Sequence, residues 1–476
     1  MAKQTISKAK KATAATVKDD APAPKSRAPG PRSLINPLIA FKKNAVTAVL
    51  DLHREFGNMV EFRLGQQRAF LFVEPAAVQH LLVDAKRNYS KETVNYKKLR
   101  LALGDGLLTN EGDSWFRQRR LMQPAFHREK LSHFGEVMVS SASALADQWD
   151  ARKDTSVPVD VNEAMMAVTL DIVGKTMFST LISNSEDSVG SFMDVTLTYL
   201  QLRMNSITRT LDFVESLPTP ANRKFREALK HANSVFFRII EERRAASDFP
   251  PDLLSMLLQA RDADTGEAMT DQQVRDEIAT MVIAGHETTA KCLVWTLHLL
   301  GLHPEIAAQL HDELRAVLGD RLPTSDDVPK LEVTTSIIKE SMRIFPPAWI
   351  IERRAIADDE VCGYRVSAGA LVMVASIVTH RSPAIWGDDA HEFIPARFRG
   401  VEAEKNRHRY AYFPFGGGPH QCIGNNFAMM EAVLVLATLA QRYEFETVLK
   451  ETPVMLANVT LSPKGGLPMR LSRRVD

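Results

Sequence analysis

Phe415-Gly416-Gly417-Gly418-Pro419-His420-Gln421-Cys422-Ile423-Gly424 stands just before an amphipathic run, about Gly424 to Tyr443, that reads as a helix. Three glycines allow turns closed to other residues and let the backbone approach a flat partner closely. The cysteine falls at a helix N-terminus. Unpaired amides and the helix dipole there favour an anion, so the sulfur is expected as thiolate, the form that ligates metal. A glycine-rich turn ending in a buried structural cysteine reads equally well from these residues alone. Zinc needs further Cys or His at ligand spacing, and only His420 is near. A phosphate cradle needs Lys-Ser or Lys-Thr after the glycines, and neither follows.

The surrounding chain sets the limits. Its 476 residues, 45% hydrophobic, supply a large core. Lys and Arg number 59 against 58 Asp and Glu, so no global field would hold nucleic acid or an anionic bilayer. Cys292, Cys362 and Cys422 are odd in number and far apart, which suits a reducing compartment, and a cytoplasmic location is expected. Residues 1–30 lack an apolar run and read as a disordered leader; residues 31–476 read as one domain. No stretch of roughly 20 apolar residues offers a transmembrane anchor. Transit peptides are usually Arg-rich and acid-poor, unlike this leader with Asp19 and Asp20.

Val60 to Val73 reads as a hairpin around Gly65-Gln66-Gln67, and Glu111 to Gln259 as mainly helical. The clearest helix runs from about Asp271 to Leu300, opened by a Thr270/Gln273 capping box and closed by Gly301. Helices follow from Pro304 to Gly319 and from about Val328 to Phe345. Val361 to Val366 and Ala370 to Val374 read as strands, and an irregular stretch leads to Pro419.

The cysteine window resembles the haem-binding loop of cytochromes P450, Phe-x-x-Gly-x-(Arg/His)-x-Cys-x-Gly, at every fixed position. The resemblance implies that Cys422 is the axial ligand, that Phe415 packs beside the sulfur with Gly416 and Gly424 in the loop, and that His420 bonds a haem propionate. Ala284-Gly285-His286-Glu287-Thr288-Thr289 is similar to the family's oxygen-activation motif. A mid-helix glycine and threonine hydroxyls loosen a helix locally, and an acid beside a hydroxyl makes a proton relay, with Glu287 as source and Thr288 as donor. An arbitrary helix Glu is usually a solvated charge, but this one sits in an apolar run. His286 reads as a packing or surface histidine.

Glu340 and Arg343, with Arg397 from Pro395-Ala396-Arg397-Phe398, resemble the family's Glu/Arg/Arg structural triad, although Glu-x-x-Arg alone is usually a surface ion pair. Trp115 and Arg119 are similar to the family's Trp-x-x-x-Arg helix, where both reach a propionate. Arg353 resembles the propionate arginine of a strand, with Arg354 as competitor. By analogy the pocket draws on Tyr96 to Leu108, Val195 to Thr208, Ala348 to Ile351 and Thr460 to Leu461, with Leu107, Ala284, Trp349, Ile350 and Leu461 as lining residues.

The resemblance covers about residues 30 to 476. It implies a mainly α fold with a small β region, burying haem b between the long helix and the terminal one. It implies insertion of one oxygen atom of O2 into an apolar substrate, and the largely apolar pocket segments suggest a fatty acid, terpenoid, steroid or polyketide without choosing among them. A separate ferredoxin or flavodoxin with its reductase would supply electrons to a monomer, docking at Arg117, Arg120, Arg407, His408 and Arg409. The rival readings are a peroxide-using peroxygenase, a haem-thiolate isomerase or dehydratase, and a non-enzymatic haem sensor or carrier. Glu287 and Thr288 argue against all three.

Overall fold

The computed structural model describes residues 27–179, 189–204, 206, 211–400, 405, 407–449 and 451–474. Most of the expected leader, and residues 205, 207 and 208 of one expected pocket segment, lie outside them. Helices dominate and the sheets are small, in agreement with the expected class.

The long helix is Asp271–Leu302. The Thr270 hydroxyl accepts the Gln273 backbone N–H at 3.2 Å, and the Gln273 side chain accepts the Thr270 N–H at 2.9 Å. This capping box satisfies donors that the first turn would leave open. The helix does not close at Gly301. A Cβ there would stand 2.7 Å from Met469 Cε and 3.0 Å from the Thr447 nitrogen, so the glycine admits a crossing sheet and the helix continues one residue further. At 1.5 Å per residue, 32 residues span roughly 48 Å. The terminal helix, Asn425–Arg442, departs from the amphipathic expectation, because Glu431 to Ala440 are buried without interruption. It is enclosed by the long helix, by Gly135–Asp150 and by Glu332–Ile344.

The main sheet orders its strands Met59–Leu64, Gln67–Phe72, Leu371–Val374, Ile351–Ala355 and Tyr89–Ser90. The first two form the expected hairpin, with Leu64 opposite Gln67. Val361 to Val366 is not one strand. Asp359–Val361 pairs with Tyr364–Val366, and the chain reverses at Cys362 and Gly363, with φ of +47° and +81°. Positive φ at both central residues belongs to the tight turn that matches strand twist.

Glu340 and Arg343 are fully buried and joined through both carboxylate oxygens, at 2.7 and 2.8 Å. All five guanidinium donors of Arg343 are used, the others reaching the carbonyls of His380, Ala390 and Glu392. Glu340 also accepts the Ile394 N–H at 2.9 Å and lies 3.6 Å from Arg397 Nε. The irregular stretch ahead of the cysteine loop is thereby riveted to a helix. The last residues of the expected leader are not free: Ala28 is buried, the Pro29 carbonyl accepts the Glu61 N–H at 2.8 Å, and Arg27 pairs with Glu61 at 3.3 Å.

Candidate active site

The cysteine loop folds back on itself, the Cys422 N–H donating to the Phe415 carbonyl at 2.9 Å. Neighbours in the same chain already constrain its glycines. Gly416 and Gly418 have φ of +70° and +65°, and a Cβ on Gly418 would fall 2.0 Å from the Leu82 carbonyl oxygen. One on Gly417 would fall 2.4 Å from the Tyr410 ring. Gly424 caps the terminal helix. The Cys422 side chain keeps free surface, yet it lies deep enough for burial to push its thiol up, against the Gly424 N–H and the charge of Arg119. Burial thus works against the thiolate expected from the helix end. A metal cation would supply the missing charge. Cys292 is wholly buried, which pushes its thiol up to about 12.

His420 stacks on Trp115, ring centroids 3.9 Å apart, and its Nδ1 is buried without a partner. Burial first, then the charges of Lys91, Arg353, Arg119 and Lys86, hold the imidazole down at about 2. Lys91, which sequence reasoning missed, is buried and donates to the Leu107 and Asn110 carbonyls at 3.2 and 3.0 Å. Burial and then Arg353 lower its ammonium to about 7. Strand alternation separates Arg353, 7% exposed and 3.1 Å from the Tyr96 hydroxyl, from the exposed Arg354. Cations gathered round a partnerless ring nitrogen fit a group that brings carboxylates, as haem does. One donor on each of Trp115 and Arg119 is already committed. The Trp115 N–H goes to the Leu107 carbonyl at 3.1 Å, and Arg119 donates to the Gln421 carbonyl at 2.8 Å.

From Val274 to Leu300 the long helix is buried except at Ala284, Gly285 and Thr288. Ala284 and Thr288, four apart, share a face. The Thr288 hydroxyl donates to the Ala284 carbonyl at 2.7 Å, and Thr289 to Gly285 at 3.2 Å. Glu287 is buried; Oε1 accepts the Thr460 hydroxyl at 2.6 Å and Oε2 has no partner. Burial raises its carboxyl, while Thr460 and Lys291 pull the other way. His286 is buried and held down at about 4, chiefly by desolvation. Glu431 of the terminal helix is wholly buried, which drives its carboxyl far up.

The Cytochrome P450 family model matches residues 24–468. The chain belongs to the cytochrome P450 family. Cyclooctatin synthase of Streptomyces melanosporofaciens is 35% identical, covering 86% of this chain and 87% of its own. Cyclooctat-9-en-7-ol 5-monooxygenase of the same organism is 33% identical, covering 88% and 89%. Pentalenene oxygenase of Streptomyces avermitilis is 34% identical, covering 85% and 88%. This P450 is therefore an oxidoreductase, a haem-thiolate monooxygenase that uses O2, an organic substrate and a redox partner. Among the described residues no helix is long and apolar enough to cross a membrane.

Leu107, Trp349 and Leu461 of this P450 are buried in its main apolar core, with Ile350 packed against it. The turn before Leu461 is pinned from several sides. Trp295 Nε1 donates to the Leu461 carbonyl at 2.9 Å, the Leu461 N–H donates to Pro347 at 3.0 Å, and Gln201 donates to Asn458 Oδ1 at 2.6 Å. Two residues of the expected basic docking patch are ion-paired, and a third is stacked on a ring. Arg120 pairs with Asp262 at 2.6 Å, Arg117 with Glu267 at 2.9 Å, and Arg407 lies over the Trp386 ring at 4.1 Å. Asp262 and Asp264 come from a loop over 140 residues away, which charge runs cannot reveal.

Proposed function

We propose that this P450 holds haem b through Cys422 and inserts one oxygen atom of O2, by hydroxylation or epoxidation, into an apolar cyclic skeleton of the terpenoid class. The carrying observation is that Ala284, Gly285 and Thr288 alone keep surface along the buried middle of the long helix. When bound, a thiolate-ligated haem supplies O2 activation, the sulfur's electron density favouring O–O cleavage.

The chain's own residues do the rest. Phe415, Gly416 and Gly424 shape the loop around the sulfur. Arg353, Arg119 and His420, with Trp115 stacked behind the imidazole, meet the haem carboxylates. Burial keeps the Glu287 carboxyl protonated to higher pH, so it holds a proton in an apolar interior. Thr288 passes that proton on, its hydroxyl turning away from the Ala284 carbonyl. Glu340, Arg343 and Arg397 hold the frame and stay outside the chemical step. Leu107, Ala284, Trp349, Ile350 and Leu461 exclude water and fit the substrate. A ferredoxin or flavodoxin with its reductase delivers electrons to a cytoplasmic monomer.

The relatives support the substrate class by their names, which denote an alkene, pentalenene, and an unsaturated alcohol, cyclooctat-9-en-7-ol. A panel of cyclic terpene hydrocarbons and alcohols, fatty acids and steroids tests it through the haem spin-state shift. Shifts with the terpenes support the class; shifts confined to fatty acids or steroids would overturn it.

A further inference from the structure

Glu287 has one oxygen held and one open. Thr460, 173 residues further along, donates its hydroxyl to Oε1 at 2.6 Å, and both residues are buried. Oε2 is enclosed and unpartnered. The turn that carries Thr460 has no slack. Trp295, Pro347 and Gln201 bind it as described, and Trp349 Nε1 donates to the Asn458 carbonyl at 3.4 Å. Trp349 and Leu461 are also residues of the proposed substrate wall.

We infer that Thr460 is a positioning residue: it fixes the Glu287 carboxyl through Oε1, leaves Oε2 to carry the proton, and ties that orientation to the substrate-pocket wall. The inference rests on reading Glu287 as the proton source. A buried carboxyl with no fixed oxygen would choose between rotamers and could carry its proton on either oxygen. With Oε1 pinned, the proton leaves Oε2 and the resulting carboxylate keeps a charge-assisted hydrogen bond. The charged group acting on the pair is Lys291, one turn on, held by Asn162 Oδ1 at 2.7 Å and itself drawn by Glu287 and Asp160.

The test is infrared pH titration of the ferric holoenzyme, with the protonated-carboxyl band of Glu287 assigned by its loss in Glu287→Gln. In Thr460→Val the band should move to higher frequency, because Oε1 loses its donor. Its titration midpoint should rise by roughly 1 to 2 pH units, because the hydroxyl favours the charged form. Thr460→Ser should restore both. An unchanged frequency and midpoint in Thr460→Val would overturn the inference. Should valine disturb the turn, seen as lost haem, Thr460→Ala removes the hydroxyl without bulk and carries the same expectation. The coupling of electrons to product separates the two layers of argument. Normal coupling in Glu287→Gln would reject the acid itself. Uncoupling of about tenfold there, with Thr460→Val unchanged in both spectrum and coupling, would reject only the role of Thr460.

Discussion

Glu340 and Glu287 are both buried glutamates on neighbouring helices of the core, and they differ in what meets their oxygens. Glu340 has a guanidinium on both oxygens, a backbone amide on one and a second arginine beyond. Glu287 has one hydroxyl on one oxygen and nothing on the other. A carboxylate with both oxygens answered by donors is a rivet, since moving it strands charge. A carboxyl half answered is costly to ionise, and so is able to carry a proton.

The comparison breaks first at Glu340. Glu340→Gln leaves Arg343 buried with its charge unmatched, and should lower unfolding stability in urea by about 3 to 5 kcal/mol, with loss of haem on expression. A loss under about 1 kcal/mol would mean that the rivet bears no load.

Glu277 is the intermediate case. One oxygen accepts the Leu107 N–H at 3.0 Å, the other has no partner, and burial, opposed by that amide, raises the carboxyl to about 8. The folded value stands above the unfolded one, so the group's contribution is intact below about pH 4.5 and is lost as pH rises through about 8. Glu277→Gln should flatten the stability profile over that window by on the order of 4 to 5 kcal/mol. Lys91, lowered to about 7, acts with the opposite slope above its own value. An unaltered profile would show that Glu277 is already paired.

At Glu287 the stability effect should be smallest. Glu287→Gln replaces a carboxyl that burial already favours neutral, so unfolding should change by less than about 1 kcal/mol. Coupling of electrons to product should fall about tenfold, with the balance appearing as peroxide. A Glu340-like loss of stability would erase the contrast between the two acids.

These contrasts were unequally legible in the sequence. The cysteine loop, the acid–alcohol pair and the capping box are local, so spacing exposed them. Glu340 and Arg343 are local too, but their burial depends on carbonyls 37 to 49 residues away. Thr460 on Glu287, Lys91 beside His420, and Asp262 on Arg120 join segments that only folding brings together. The inward face of Arg353 was within reach, because Ile351 and Ala355 share its side of a strand. Leu82, against which Gly418 closes, likewise comes from a distant segment that spacing does not reveal. The thiolate was read from the helix end without the opposing desolvation.

The proposed oxygen chemistry depends on Cys422 as the sulfur ligand. The direct test is the absorbance of the reduced protein under CO, for the natural chain and for Cys422→Ser. The account predicts a long-wavelength CO band in the first and none in the second; a band that persists in Cys422→Ser would contradict it.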